Sequence, residues 1–392
     1  MASLTDDEDL VVEILARLPV KSLMRFKCVS KPWCVLISQS HFVKKHRSFA
    51  DRGITKTSSR LIFFTQSPTF VELDDLESPR DGPVAPSKLG LPVITLDPEV
   101  IAIKLVGSCD GLICLELNHN VIIIWNPCTR ESNLFPQPRV DCCSRFYGFG
   151  YDSTIHDHKV ILAGYPLVEC EHELPKFSSK PIIQVFALKS ASWEVYEVEC
   201  EIIKGLVGRG HASNGALHWL EFESSVFRGG SKIVAFDLHE ETFEVIPLPF
   251  GRIAADFRGI WSGFHGFMTF QNRLCVYSGA YDPYPVRIHM LKEYGDKKSW
   301  TEVMKIDSNY VSGLSARLVY LRPLCFMENG EILMDKVEDG PQLALYNPVG
   351  ETFRNVLDGH MHLNFDSIIC SETLVSPATG IGEENDAALP ST

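Results

Sequence analysis

The hydrophobic pattern of this chain changes period once, near residue 50. Before that point apolar residues recur at helical spacing; after it they come in short β-branched and aromatic runs cut by Gly, Asn, Asp and Pro. Thr5 with Glu8 forms a capping-box start, and Leu10, Val11, Ile14, Leu15 and Leu18 give the following helix one apolar stripe. Pro19 ends it, since proline has no N–H to donate and clashes with the preceding turn. Lys21 to Cys28 predicts a second helix, its apolar stripe running through Leu23 and Phe26 to Val29. Ser30 then caps a third that accepts Pro32 in its first turn and buries Trp33, Leu36 and Ile37. Ser40 is the expected cap of a short fourth turn carrying Phe42 and His46. A unit this small buries too little surface for comfortable stability alone, so part of its broad apolar arc is expected to face another chain.

Beyond residue 50 the strands repeat. An aromatic residue or methionine ends an apolar run at Trp125, Phe186, Phe236, Met290 and Tyr346. An aromatic follows at Trp193, Phe243 and Phe353 across a polar turn, and Trp300 follows Met290 at a wider spacing that an insertion around Gly295-Asp296 explains. This is the spacing of two paired strands and their turn. Upstream, Asp110-Gly111, Asn214-Gly215 and Asn329-Gly330 each precede a strand, and such dipeptides favour hairpins because the turn needs positive φ at both central residues. Each repeat is therefore a small antiparallel meander. The mean interval of about 55 residues is close to a kelch-type blade, so the body is expected to hold about six blades of a propeller. Ring closure is preferred to a sandwich because it protects the many strand edges.

Charge divides the chain in the same place. The formal net charge is −13, yet residues 1–47 hold eight bases and five acids, leaving a strongly acidic remainder. An acidic body is a poor surface for nucleic-acid phosphates and suits a basic protein partner; the basic helical segment suits an acidic one. No apolar run reaches eighteen residues, and the acidic start Asp6-Asp7-Glu8-Asp9 is wrong for a signal peptide, so the expectation is a protein of the cytoplasm or nucleus without a membrane span. The twelve cysteines are then read as reduced thiols.

Few segments offer chemistry. Gly107-Ser108-Cys109-Asp110-Gly111 has the outline of a nucleophile elbow with Cys109 at its apex, but that device needs a helix after it and a strand-like run, Leu112 to Leu117, follows. His156-Asp157-His158 with Cys170 and His172, and His360 with His362, are metal-ligand types without zinc-site spacing. Gly205 to Gly210 lacks the register and the βαβ setting of a dinucleotide loop. No catalytic residue, metal or cofactor is expected.

The string Leu18-Pro19-Val20-Lys21-Ser22-Leu23, continued by Arg25-Phe26-Lys27-Cys28-Val29-Ser30-Lys31 and Trp33, closely resembles the F-box of plant proteins. One departure is visible: Asp9-Leu10 stands where many members have Leu-Pro. Further on, Gly107 to Ile113, Trp125-Asn126-Pro127-Cys128-Thr129-Arg130 and Tyr147-Gly148-Phe149-Gly150-Tyr151-Asp152 resemble the F-box-associated, kelch-like domain of the same proteins, including the S-locus F-box group. The resemblance implies an α+β multidomain chain: a small all-α F-box helical domain over residues 1–50, an all-β propeller over 51–378, and a disordered acidic tail over 379–392.

It also implies a function, that of the substrate-recognition subunit of a Skp–cullin–F-box ubiquitin ligase. The F-box would dock on a Skp-family adaptor, and through it on cullin and RING subunits, while the propeller recruits a target for ubiquitination. The residues expected at the adaptor are Leu10, Ile14, Leu18, Pro19, Leu23, Val29, Lys31 and Trp33, with Leu23 and Trp33 equally readable as core. Target binding is expected on loops of one propeller face, at Arg139, Arg145, His172, Arg228, Tyr281 and Tyr284. In the S-locus relatives the target is a basic, secreted-type ribonuclease, which an acidic body could accept. Two other classes stand beside this reading: a lectin-like or small-ligand propeller that acts without the ligase, and a propeller oxidase or hydrolase needing a metal or a reactive Cys109.

Overall fold

The computed structural model describes residues 4–55, 57–64, 69–77, 84–92, 102–118, 121–138, 140, 142–170, 173–178, 180–198, 201–203, 205–221, 232–249, 266–278, 285–307, 320–337, 341–357 and 366–378. Four helices come first: α1 (Leu4–Leu15), α2 (Val20–Phe26), α3 (Lys31–Ser38) and α4 (Ser40–Asp51). Ser30 caps α3 as its sequence demands, its hydroxyl accepting from the Trp33 N–H at 3.3 Å. Two predicted caps are corrected. Thr5 lies inside α1, and Gln39, in extended backbone, is the residue before α4, which runs for three turns rather than one. The extra length follows from Phe49, which is buried with Leu15, Leu23, Ile37 and Phe42 in the helical core. Two buried polar groups tie the helices internally: the His46 ring meets the Leu18 carbonyl oxygen at 3.0 Å, and the Thr55 hydroxyl donates to that of Ala16 at 3.0 Å.

The rest is a six-blade propeller built on antiparallel four-strand sheets, the sheet of blade 2 carrying two further short strands, Glu173–Phe177 and the parallel Gly208–Arg209. Blade 1 comprises Ile103–Cys109, Leu112–Leu117, Val121–Trp125 and Ser132–Phe135; blade 2, Cys142–Asp152, Asp157–Cys170, Ile182–Ala187 and Ser192–Glu197. Blade 3 comprises His211–Ser213, Ala216–Glu221, Lys232–Asp237 and Phe243–Ile246; blade 4, Gly266–Phe270, Arg273–Ser278, Val286–Leu291 and Trp300–Ile306. Blade 5 comprises Tyr320–Phe326, Ile332–Val337, Pro341–Asn347 and Thr352–Asn355. Blade 6 is composite. Its first strand is Asp366–Ser371 from the far end of the chain, paired with Ser59–Phe64, which continues to Thr69–Glu72 and Ser87–Lys88. This pairing closes the ring and leaves neither end of the array as a free sheet edge.

The aromatic repeat marks the third and fourth strands of blades 2 to 5, while Trp125 of blade 1 faces Ser132. Phe186 faces Trp193, Phe236 faces Phe243 and Tyr346 faces Phe353 in register, whereas Trp300 faces Leu291 rather than Met290. Alternation along a strand sends successive side chains to opposite sheet faces, and here both faces are covered by neighbouring blades. Leu112 and Cys114 of blade 1 thus pack with Phe149, Phe186 and Trp193 of blade 2, while Ile113, Leu115 and Leu117 pack with Ile62 and Cys370 of blade 6. That is why the second and third strands read as nearly unbroken apolar runs.

Candidate functional site

The eight residues expected at an adaptor contact are divided by the structure. Leu10, Ile14 and Val29 are 58%, 55% and 66% exposed, and Lys31 is exposed. Leu10 and Ile14 stand four apart on α1 and so share a face. Leu18 and Pro19 are half-buried. Trp33 is half-buried too, edge-on to Phe26 with ring centroids 5.3 Å apart. Leu23 is wholly buried, which corrects its reading as a contact: it belongs to the helical core. Val35, 58% exposed, was not singled out by the pattern, because it falls off the Trp33, Leu36, Ile37 stripe and looks like an ordinary outward position.

On their other side the helices are fastened to the ring. Leu374, just past the first strand of blade 6, enters the helical core, and Cys128 of blade 1 packs against it. Lys21 lies 2.8 Å from Glu72 and 3.9 Å from Glu372. Arg60 meets both carboxylates at 2.9 Å and lies over the Phe70 ring. Burial pushes Glu372 up from the usual carboxylate range against the pull of Arg60 and Lys21. A second tie runs from Arg47 on α4 to Asp110 at 2.8 Å, with His158 3.2 Å from the other carboxylate oxygen. Burial opposes the charge on Asp110, but His158 and Arg47 together outweigh it and hold the carboxyl below its usual range.

These contacts all sit at one end of the ring, where each first strand turns into its second. Consecutive strands alternate direction, so the connections from second to third strand, and from one blade to the next, open at the opposite end. The expected target residues fall in those connections or beside them. Arg139 precedes blade 2, and Arg145 stands early in its first strand; His172 lies between its second and third strands, Arg228 between those of blade 3, and Tyr281 and Tyr284 between those of blade 4. Arg139, His172, Arg228, Tyr281 and Tyr284 lie outside the described residues, as does the Arg145 side chain.

The segments that suggested chemistry have structural uses. Cys109 ends one strand and Leu112 begins the next, so no helix follows as an elbow requires; burial pushes its thiol well above the usual range. Cys109, Asp110 and His158 do bring metal-ligand atoms within 4.8 Å of one another, but a cation there would compete with the Arg47 guanidinium for Asp110. Asp157 accepts from the backbone N–H groups of His158 and Lys189, and His158 stacks on Phe149. Cys170's side chain, His172, His360 and His362 lie outside the described residues. In the glycine-rich stretch, Gly210 lies so close to the Trp219 ring that a Cβ would stand 2.6 Å from it, and Gly208–Arg209 pairs in parallel with Phe146–Tyr147.

The F-box domain model matches residues 7–45, and the F-box associated beta propeller domain model matches residues 85–346, more than half of the chain. The chain belongs to the F-box proteins with an associated propeller. Among curated proteins it is similar to F-box protein CPR1 of Arabidopsis thaliana, 29% identical over 349 residues that cover 82% of this chain and 77% of the relative. It is also similar to the F-box/kelch-repeat protein At3g23880 of the same plant, 27% identical over 391 residues that cover 94% and 95%. In this F-box protein the recognisable strings have definable tasks. Lys21 of the F-box string bridges to blade 6. Asn126 of the Trp-Asn-Pro string donates its side-chain amide to the carbonyl oxygens of Thr373 and Val375, at 3.1 and 2.8 Å, and holds the segment that follows the closing strand.

Proposed function

We propose that this F-box protein is the target-recognition subunit of a Skp–cullin–F-box ubiquitin ligase. The observation that carries the reading is the pairing of large exposed apolar residues, Leu10, Ile14 and Val29, with a helical domain fixed to one end of a ring whose other end carries the long connections. Solvent-facing leucine and isoleucine one turn apart on a charged helix suit burial by a partner helix of a Skp-type adaptor. The basic charge of the helical segment suits an acidic adaptor surface. The chain's own contribution is geometric rather than catalytic: it holds a target protein, favoured to be basic by the acidic body, near the ubiquitin-charged enzyme and raises the effective concentration of its lysines. No described helix is long and apolar enough to cross a membrane, and the proposed place of action is the cytoplasm or nucleus.

The test is reconstitution. Full chain mixed with a purified plant Skp-type adaptor, cullin and RING subunits should co-elute as one complex, and proteins captured by the propeller should acquire ubiquitin only when the helical domain is intact. A folded chain that fails to associate with any Skp-type adaptor would sink the reading.

A further inference from the structure

The first strands of blades 1, 3, 4, 5 and 6, with Arg209 and Gly210 beside the first strand of blade 2, line a cavity of about 410 Å³, within the range of small-molecule sites. Its chemistry is unlike that of the chain around it. The protein carries a net charge of −13, yet among the described residues the lining includes two guanidinium groups, Arg209 and Arg322, and no carboxylate. Their acids stand outside the lining: Asp366 lies 2.9 Å from Arg209 Nη1, and Asp335 lies 2.9 Å from Arg322 Nη2. Asp335 therefore holds Arg322 by one terminal nitrogen, while the buried Nε of the same side chain has no hydrogen-bond partner among the described residues. A buried donor without an acceptor is costly, and an oxyanion is the acceptor a guanidinium edge fits best. The remaining lining is mixed: Phe267 and Ile368 supply apolar surface, and Thr269 supplies a hydroxyl that lies 2.9 Å from His211 Nε2. Arg209 and Arg322 stand toward the end where first strands begin, away from the helical domain.

We propose that this channel is a binding site for a small organic anion, an apolar body bearing a carboxylate or phosphate group that Arg322 and Arg209 receive. The proposal stands apart from the ligase reading, since it needs neither adaptor nor target. Thermal unfolding and calorimetric titration of the full chain, at constant ionic strength, test it with three probes: benzoate, phenyl phosphate and the neutral benzamide. One or both anions bind saturably and raise the melting temperature, and benzamide does not; which anion binds identifies the headgroup. Arg322→Gln weakens that binding by about tenfold or more, the usual value of a charge-assisted hydrogen bond. Thr269→Trp keeps both guanidiniums, narrows the cavity from its wall and weakens binding, so it tests the site even where Arg322→Gln fails to fold. The proposal is overturned if neither anion binds, if benzamide binds as well as they do, or if Thr269→Trp leaves anion binding unchanged.

Discussion

Replacing Leu10, Ile14 and Val29 together by alanine separates the outer face of the F-box from its core. Each side chain is more than half exposed in the free protein, so docking can bury that half. Full burial of such a side chain is worth about 1.5–3 kcal/mol, which makes the exposed share about 1 kcal/mol each and about 3 kcal/mol for the three. That corresponds to a loss of adaptor affinity of roughly a hundredfold. The folded chain should hardly notice, because substitutions at exposed sites usually change stability by no more than about 0.5 kcal/mol. Leu23→Ala gives the opposite signature: it opens a cavity beside Leu15, Ile37 and Phe42 and lowers stability by about 2–5 kcal/mol. The assay is calorimetric titration of each variant with a purified Skp-type adaptor, beside a thermal melt of the same sample. If the folded triple variant binds within about threefold of the parent, less than 1 kcal/mol of contact has been lost and the docking face lies elsewhere.

Three further expectations concern the ring. Arg60→Met strands Glu72 and Glu372 without their buried partner and should cost about 3–5 kcal/mol in a denaturant titration, whereas Lys21→Met, at a half-exposed site, should cost at most about 1 kcal/mol; equal losses would contradict the assignment of Arg60 as the buried centre. Gly215→Ala meets open space at φ +72° and should cost about 1 kcal/mol of left-handed strain, but Gly111→Ala, at φ +76°, also drives a Cβ into the Ser371 carbonyl and Thr373 and should melt markedly lower. Burial holds His218 down to about 4, with its Nδ1–H donating to the His211 carbonyl and Nε2 accepting from Tyr294. The unfolded chain takes up that proton near its ordinary value of 6.5 and the folded chain does not, so stability falls as pH drops from 6.5 toward 4, by up to about 1.4 kcal/mol per unit. His218→Gln should flatten that limb of the stability–pH curve, and an unchanged slope would contradict the buried neutral imidazole.

Local pairings were legible in the sequence because they are written within a dozen residues. Asp110-Gly111 and Asn214-Gly215 both adopt the left-handed pair that their turn requires. Asn329-Gly330 was read by the same rule, yet among the two only Gly330 has positive φ, since the turn spans Met327 to Glu331 and is closed by a hydrogen bond between them. The equivalent turn of blade 4, Gln271-Asn272, has both residues left-handed and no glycine to announce it. Ring closure had no local signal at all: Arg60 pairs with Cys370 across almost the whole chain, and the strength of either strand alone does not name its partner. Nor could spacing tell that Leu23 faces inward while Leu10 faces out, because α2 and α1 are both apolar over wide arcs and only the packed bundle decides which arc is covered.

The most recognisable strings of the propeller lie where the geometry leaves least freedom. Asp110 receives Arg47 from α4, Gly111 gives room to Ser371 and Thr373, and Asn126 holds the backbone beyond the closing strand. Gly148 and Gly150 likewise admit Leu217 and Leu238 of the next blade at distances that a Cβ would not allow. Each substitution there must satisfy a backbone conformation, a close contact or a buried charge at once, so these positions read as words. The described parts of the connections at the opposite end make none of those contacts; they are held to the blades instead, Trp193 donating to the Pro136 carbonyl and Gln184 exchanging hydrogen bonds with the Val140 backbone. On the ligase reading proposed above, a ring locked to its helical domain at one end can vary its loops at the other without moving that domain. That separation is a property of strand direction in a four-strand blade, and it is why the fold could be read from the sequence further than the target could.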